Sequence, residues 1–261
     1  MNIKHVSLLA AVALAGLASP VVAQTMVALG AAGSFGVLAG TSITNSGVTV
    51  VNGDLGVSPG ATVTETPAIT VNGIRHVNDS IASDAQAALT AAYNNAAGQT
   101  PTVSLGAAFD LGSSTRTAGV YNSTGSLAIT GILTLDAQSN PNAVWIFQAG
   151  STLTTANSSQ VQFINGGSAA NVFWQVGSSA TFNDTSQFVG NVLALTSITL
   201  NNGAIVDGRL LARNGAVILT SNTVSVPTAI PESSTYALVA GLLTLGLVAV
   251  RRRSPGAAVR A

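Results

Sequence analysis

The 261-residue chain contains no cysteine. Disulfides and thiolate metal sites are therefore excluded, and stability must rest on packing and on backbone hydrogen bonds. Charge is scarce as well: Asp, Glu, Lys and Arg make up 7% of the residues. Between Gln24 and Ile230 there is no lysine, and four arginines (75, 116, 209 and 213) face eight acids, for a net charge near −4. Nucleic acid and anionic membranes both demand clustered cations, so neither is an expected partner. Histidine is almost absent too. His76 is the only one in this segment, and no Ser-His-Asp set assembles around it. Asp184 and Asp207 fall at different places in the repeat described below and do not form a carboxylate pair. The glycine-rich stretch at 33–40 lacks the following helix that a nucleotide loop needs. No catalytic residue, metal site or cofactor is expected, and the chain does not read as an enzyme.

What is present begins with two processing signals. Lys4 and His5, an apolar run from Val6 to Leu17, and Ser19-Pro20-Val21-Val22-Ala23 follow the order of a secretory signal peptide over residues 1–23. Residues 229–261 hold Pro231-Glu232-Ser233, an apolar segment at 236–250, and the cluster Arg251, Arg252 and Arg253. Fifteen apolar residues make a helix of about 22 Å, short for a permanent span. This order of short motif, apolar segment and arginines resembles the PEP-CTERM sorting tail of Gram-negative bacteria. The resemblance implies export, transient anchoring in the membrane, and processing by an exosortase-type peptidase after signal peptidase has acted. The protein is expected to be secreted or held on the outer cell surface.

Residues 24–228 read as one domain built on a repeat. TFNDTSQFVGNVLA at 181–194 and TLNNGAIVDGRLLA at 199–212 superimpose without a gap at a spacing of 18 residues. Short repeats of this composition mark a β-solenoid, in which stacked coils bury apolar side chains that no single coil could bury. Alternation assigns three inward sets: Ile198, Leu200, Ala180 and Phe182; Val206, Phe188, Val161 and Val51; Leu210, Ala212, Val192 and Ala194. Three inward segments per coil imply a triangular cross-section. TSIT occurs at both 41–44 and 196–199, and VNGDLGV at 51–57 matches VDGRLLA at 206–212. The first coil is therefore expected to stack near the last ones. A single helix is expected at about 79–97, capped by Asp79 or Ser80, with Ile81, Ala85, Ala88, Leu89 and Ala92 as its apolar stripe. Leu193, Leu195 and Leu211 point outward on one side, so the helix is placed over them. The expected fold is all-β with one helix: a discontinuous triangular β-solenoid with the helix packed along one side.

A second side carries outward Ser42, Thr44, Thr152, Thr154, Ser179, Thr181, Ser197, Thr199 and Asn201. Alternate residues on a strand lie ~7 Å apart and neighbouring coils ~4.8 Å apart. Threonine holds a hydroxyl beside a methyl group on a stiff χ1. Such a lattice can order water in two dimensions without any titratable group. The competing face carries Gln160, Gln187 and Ile205, with Thr220 and Thr223 in the last coil.

The stretches at 27–60, 144–155, 171–182 and 192–219 closely resemble the bacterial and fungal ice-binding proteins of the DUF3494 type. The resemblance covers nearly all of residues 27–227. It implies a discontinuous solenoid with a helix along one side and a flat face that adsorbs to ice, giving antifreeze activity or inhibition of ice recrystallisation. Some members carry a Thr-Ala/Gly-x-Thr/Asn motif. Here Thr155-Ala156-Asn157-Ser158, Thr41-Ser42-Ile43-Thr44 and Thr220-Ser221-Asn222-Thr223 come near it. The expected partner is the ice crystal surface, and the protein is expected to act as a monomer. The alternative is a cell-surface or biofilm-matrix adhesin without ice affinity.

Overall fold

Alternating burial along short strands organises the molecule, and the inward sets named above form one continuous apolar core. The computed structural model describes residues 24–227. The expected signal peptide at 1–23 and the expected sorting tail, with Pro231, Glu232, Arg251, Arg252 and Arg253, lie outside the described residues. Every strand pairing within 24–227 is parallel, as successive turns of a solenoid require.

The coils stack out of chain order. The first strand is Phe35–Ala39; from it the chain makes two coils through Arg75–Val77, then turns into the helix Ser80–Gly98. The helix runs back along the stack, and Val103–Asp110 opens a second series that climbs through Ile205–Ala212 to Thr223–Ser225. The two series join where residues 210–211 pair with residues 37–38. Phe35–Ala39 thus lies between the strand Ile205–Ala212 and the strand Asp54–Val57. This is the discontinuous solenoid expected from the repeated TSIT and VNGDLGV phrases, with one coil interposed between the matching segments.

Three flat sides result. The helix covers the first. Its N-terminus is capped by Asp79, whose side chain accepts from the Ala82 N–H at 2.8 Å. Ala82, Ala85, Leu89, Ala92, Tyr93 and Ala96 are its buried residues. Ile81, expected in the apolar stripe, is instead 51% exposed, because the helix turns its Ala82–Ala96 face to the sheet. Leu193, Leu211 and Leu38 stand in register beneath it, all fully buried. Farther along the same column are Gln148 and Gln175. Gln148 Nε2 donates to the carbonyls of Ala96 and Gln99 at 2.8 Å, which satisfies orphan acceptors at the helix C-terminus. Gln175 Nε2 donates to the Tyr93 hydroxyl at 2.8 Å. The two QxGS phrases therefore dock the helix.

The few aromatics are concentrated in the second series, where Tyr121, Phe147, Trp174, Phe188 and Phe182 follow one another with ring centroids 4.1–5.2 Å apart. The repeat's glycine has a steric cause. Gly190 and Gly208 sit opposite each other where the third side bends into the helix side, and a Cβ on Gly208 would collide with the Gly190 carbonyl.

Candidate functional site

The charged residues hold structure together. Arg75 pairs with Glu65 at 2.6 Å and also donates to the Ile69 carbonyl, at one end of the stack. Arg116 lies over the rings of Phe109 and Tyr121 at 5.3 and 5.6 Å, at the other end. Arg213 lies over Tyr93 at 4.7 Å. Arg209 is buried and donates to the Gly33 carbonyl and to Asn191 Oδ1, at 2.8 and 2.7 Å. Burial pushes its pKa down to about 10. The acids mostly close turns. Asp110 accepts from the N–H groups of Gly112 and Thr130, which outweigh its burial and hold its carboxyl below the usual range. Asp136 is lowered by the Asn165 amide and the Gln138 N–H. His76 Nδ1 lies 2.8 Å from Asp79 Oδ2. Among the described residues no group of three or more His, Cys, Asp or Glu is placed to hold a metal ion.

The second side of the solenoid is built differently. Its strands are short, and their inward residues alternate with outward Ser and Thr. Thr154 pairs with Thr181, and Thr181 with Thr199, so three threonines form one column. Thr152, Ser179 and Ser197 flank this column on one edge, and Asn183 and Asn201 on the other. The flanks are tied down: Thr152 Oγ1 lies 2.8 Å from Ser126 Oγ, Ser179 Oγ 2.7 Å from Thr196 Oγ1, and Asn201 Nδ2 donates to Asn183 Oδ1 at 2.8 Å. In the central column Thr154 is exposed and Thr181 and Thr199 are half-buried.

Thr44 shares this column but is not adjacent to Thr199. Ile218 stands between them, paired with Thr199 on one side and Thr44 on the other. Beyond Thr44 lies Thr64, and Ser42 lies beside Thr62. Sequence reasoning missed Thr62, Thr64, Thr66 and Ser46. The alternation of TVTET at 62–66 was the available signal, masked by Glu65, which turns inward to Arg75 with its side chain only 14% exposed.

The third side carries Gln160, Gln187, Ile205 and Thr223 in one column. Thr220 does not belong to it. It pairs with Ser46 on the edge of the Ser/Thr side, where the Ser46 hydroxyl donates to it at 3.4 Å, because the strand Val217–Thr220 ends before the chain turns the corner. Gln160 Nε2 donates to Gln187 Oε1 at 3.1 Å. Asp207, Val189 and Gln162 occupy the neighbouring column, so this side mixes a charge, amides and branched apolar groups.

Comparison with known proteins agrees with this architecture. An ice-binding protein of Nostoc sp. (strain HG1) is 44% identical over 266 residues, covering 97% of each chain. The crystal structure of an ice-binding protein from the Antarctic ascomycete Antarctomyces psychrotrophicus superimposes with a TM-score of 0.76 at 40% identity, over 78% of this chain and 100% of that one. An ice-binding protein from an Antarctic biological consortium also gives 0.76, at 44% identity, over 78% of this chain and 93% of that one. The profile of the ice-binding-like family matches residues 37–225, and the chain belongs to that family.

Proposed function

We propose that this protein adsorbs to ice through its Ser/Thr side, and that its activity is binding rather than catalysis. The observation that carries the assignment is the column of outward Thr154, Thr181 and Thr199, which stand in register while their flanks are fixed by hydrogen bonds. A rigid array needs little reorganisation to hold water in place, so the entropic cost of contact is met in folding. The third side is less suited, because it sets the charge of Asp207 and the apolar Val189 and Ile205 among its glutamines. The test is direct. Single ice crystals grown in the purified protein should be faceted and should show thermal hysteresis. Crystals that grow as smooth discs at every concentration would count against the reading and return weight to the adhesin alternative.

The same proposal places the protein outside the cell. The leader at 1–23 and the arginine-ended tail at 229–261 support export and transient anchoring through a PEP-CTERM-like signal. An extracellular position puts the Ser/Thr side where external ice can reach it. Mass spectrometry of the secreted protein should find an N-terminus at or near Gln24; an intact Met1 would contradict export by this route.

A further inference from the structure

The Ser/Thr side is not one lattice but two. The second-series patch contains Thr152, Thr154, Ser179, Thr181, Ser197 and Thr199. On the strands Ser42–Ser46 and Thr62–Thr66, Ser42, Thr44 and Ser46 stand opposite Thr62, Thr64 and Thr66. That is a regular two-by-three block of hydroxyls. Between the patches runs the strand Val217–Thr220, at the join of the two coil series. At the outward positions this segment interposes Ala216, which precedes the strand, in the flanking column and Ile218 in the central one. Only its third outward residue, Thr220, keeps a hydroxyl in line, and it bonds to Ser46 across the join.

We infer that Ile218 is the residue that limits the ice-contacting area, by dividing two hydroxyl lattices that would otherwise be continuous. This inference rests on the assignment of the ice face made above. Ile218 is 40% exposed, while Val217 and Leu219 on either side of it are buried, so its side chain stands out on this face. Isoleucine and threonine are both β-branched and share a stiff χ1. At a common rotamer the isoleucine methyl takes the place of the threonine methyl. Its Cγ1 takes the place of the hydroxyl, and Cδ1 extends one carbon farther into the water layer. One residue thus removes a hydrogen-bonding site and raises a bump in the middle of the face. The uninterrupted central run is three threonines long, 154, 181 and 199, or ~10 Å. With threonine at 218 it becomes six long, reaching Thr64, or ~24 Å.

Two variants of the intact protein separate the causes. Ile218→Thr restores both flatness and the hydroxyl, while Ile218→Val removes Cδ1 alone. At equal molar concentration, thermal hysteresis is expected to rise in the order parent, Ile218→Val, Ile218→Thr, with unchanged melting curves by circular dichroism. Equal gains in the two variants would also support the inference and assign the break to Cδ1. No gain in either, or a loss in Ile218→Thr, would overturn it and make Ile218 a neutral or contributing part of the contact. Thr181→Tyr, measured alongside, keeps the two levels apart. If it is silent, the face itself is misassigned; if it is damaging while position 218 has no effect, only the inference about the join fails.

Discussion

The helix-covered side and the Ser/Thr side come from the same coils, yet they end in opposite states. On one, outward Leu38, Leu193 and Leu211 are fully buried beneath the helix. On the other, outward Thr154 is exposed and Thr181 and Thr199 are half-buried, with no helix over them. The backbone ladder is the same kind in both. What differs is whether a β-branched hydroxyl or a leucine occupies the outward position, and that choice decides whether the chain must supply a cover. The helix is thus the consequence of the leucine column, and the Ser/Thr side stays open because nothing needs to pack on it. The third side is also open, but it mixes Gln, Ile, Val and Asp along its length, whereas the central threonine run of the Ser/Thr side is interrupted at the join by Ile218.

The comparison is sharpest at Leu211. Leu211→Ala leaves a cavity under the helix and should destabilise the fold by about 2–5 kcal/mol. Thr199→Ala, in the same stack but on the open side, should stay within about 0.5 kcal/mol. Denaturant unfolding of both measures the difference, and equal losses would mean that the helix does not pack as described.

Activity should show the reverse pattern. Thr181→Tyr places a bulky ring in the middle of the Ser/Thr column and should sharply reduce ice shaping and thermal hysteresis. Gln187→Tyr, outward on the third side, should leave both near the parent values. Neither should change stability by more than about 0.5 kcal/mol. If Gln187→Tyr is the damaging substitution, ice contacts the third side and the contrast between the open sides is inverted.

Much of this was legible in the residues, and what was not shares one cause. The ungapped match of 181–194 with 199–212 exposes the inward columns because those coils are consecutive and of equal length. Outward leucines announce the covered side. But identical TSIT phrases at 41–44 and 196–199 say only that the first coil stacks near the last ones, and not that the strand Val217–Thr220 lies between them. Where the two series join is decided by pairing between distant segments, and no local pattern encodes it. Ile218 was therefore invisible as a member of the threonine column. Ile81 was misassigned for a simpler reason: an alanine-rich helix offers several weak apolar stripes, and contact with the sheet selects the one containing Tyr93 and Ala96.

The smallest effect lies where the covered side begins, at the helix N-cap. Asp79 accepts the Ala82 N–H and lies 2.8 Å from the His76 ring, and these contacts, the first the larger, hold its carboxyl below the usual range. A carboxylate depressed in the folded state contributes stability that is fully present above its unfolded pKa of ~3.9. That contribution is lost as pH falls through the lower folded value, when the protonated acid no longer favours the folded state. Asp79→Asn keeps an acceptor for the Ala82 N–H, since asparagine caps helices about as well as aspartate, but it has no proton to gain. The variant should therefore melt slightly below the parent at neutral pH, and the gap should close as the solution is acidified past the carboxylate range. Ice shaping by the folded variant should be unchanged, because the cap serves the helix and not the open face. Melting curves across a pH series decide it: a gap that stays constant would mean that the carboxylate charge adds nothing to the cap, and that the covered side is held by packing alone.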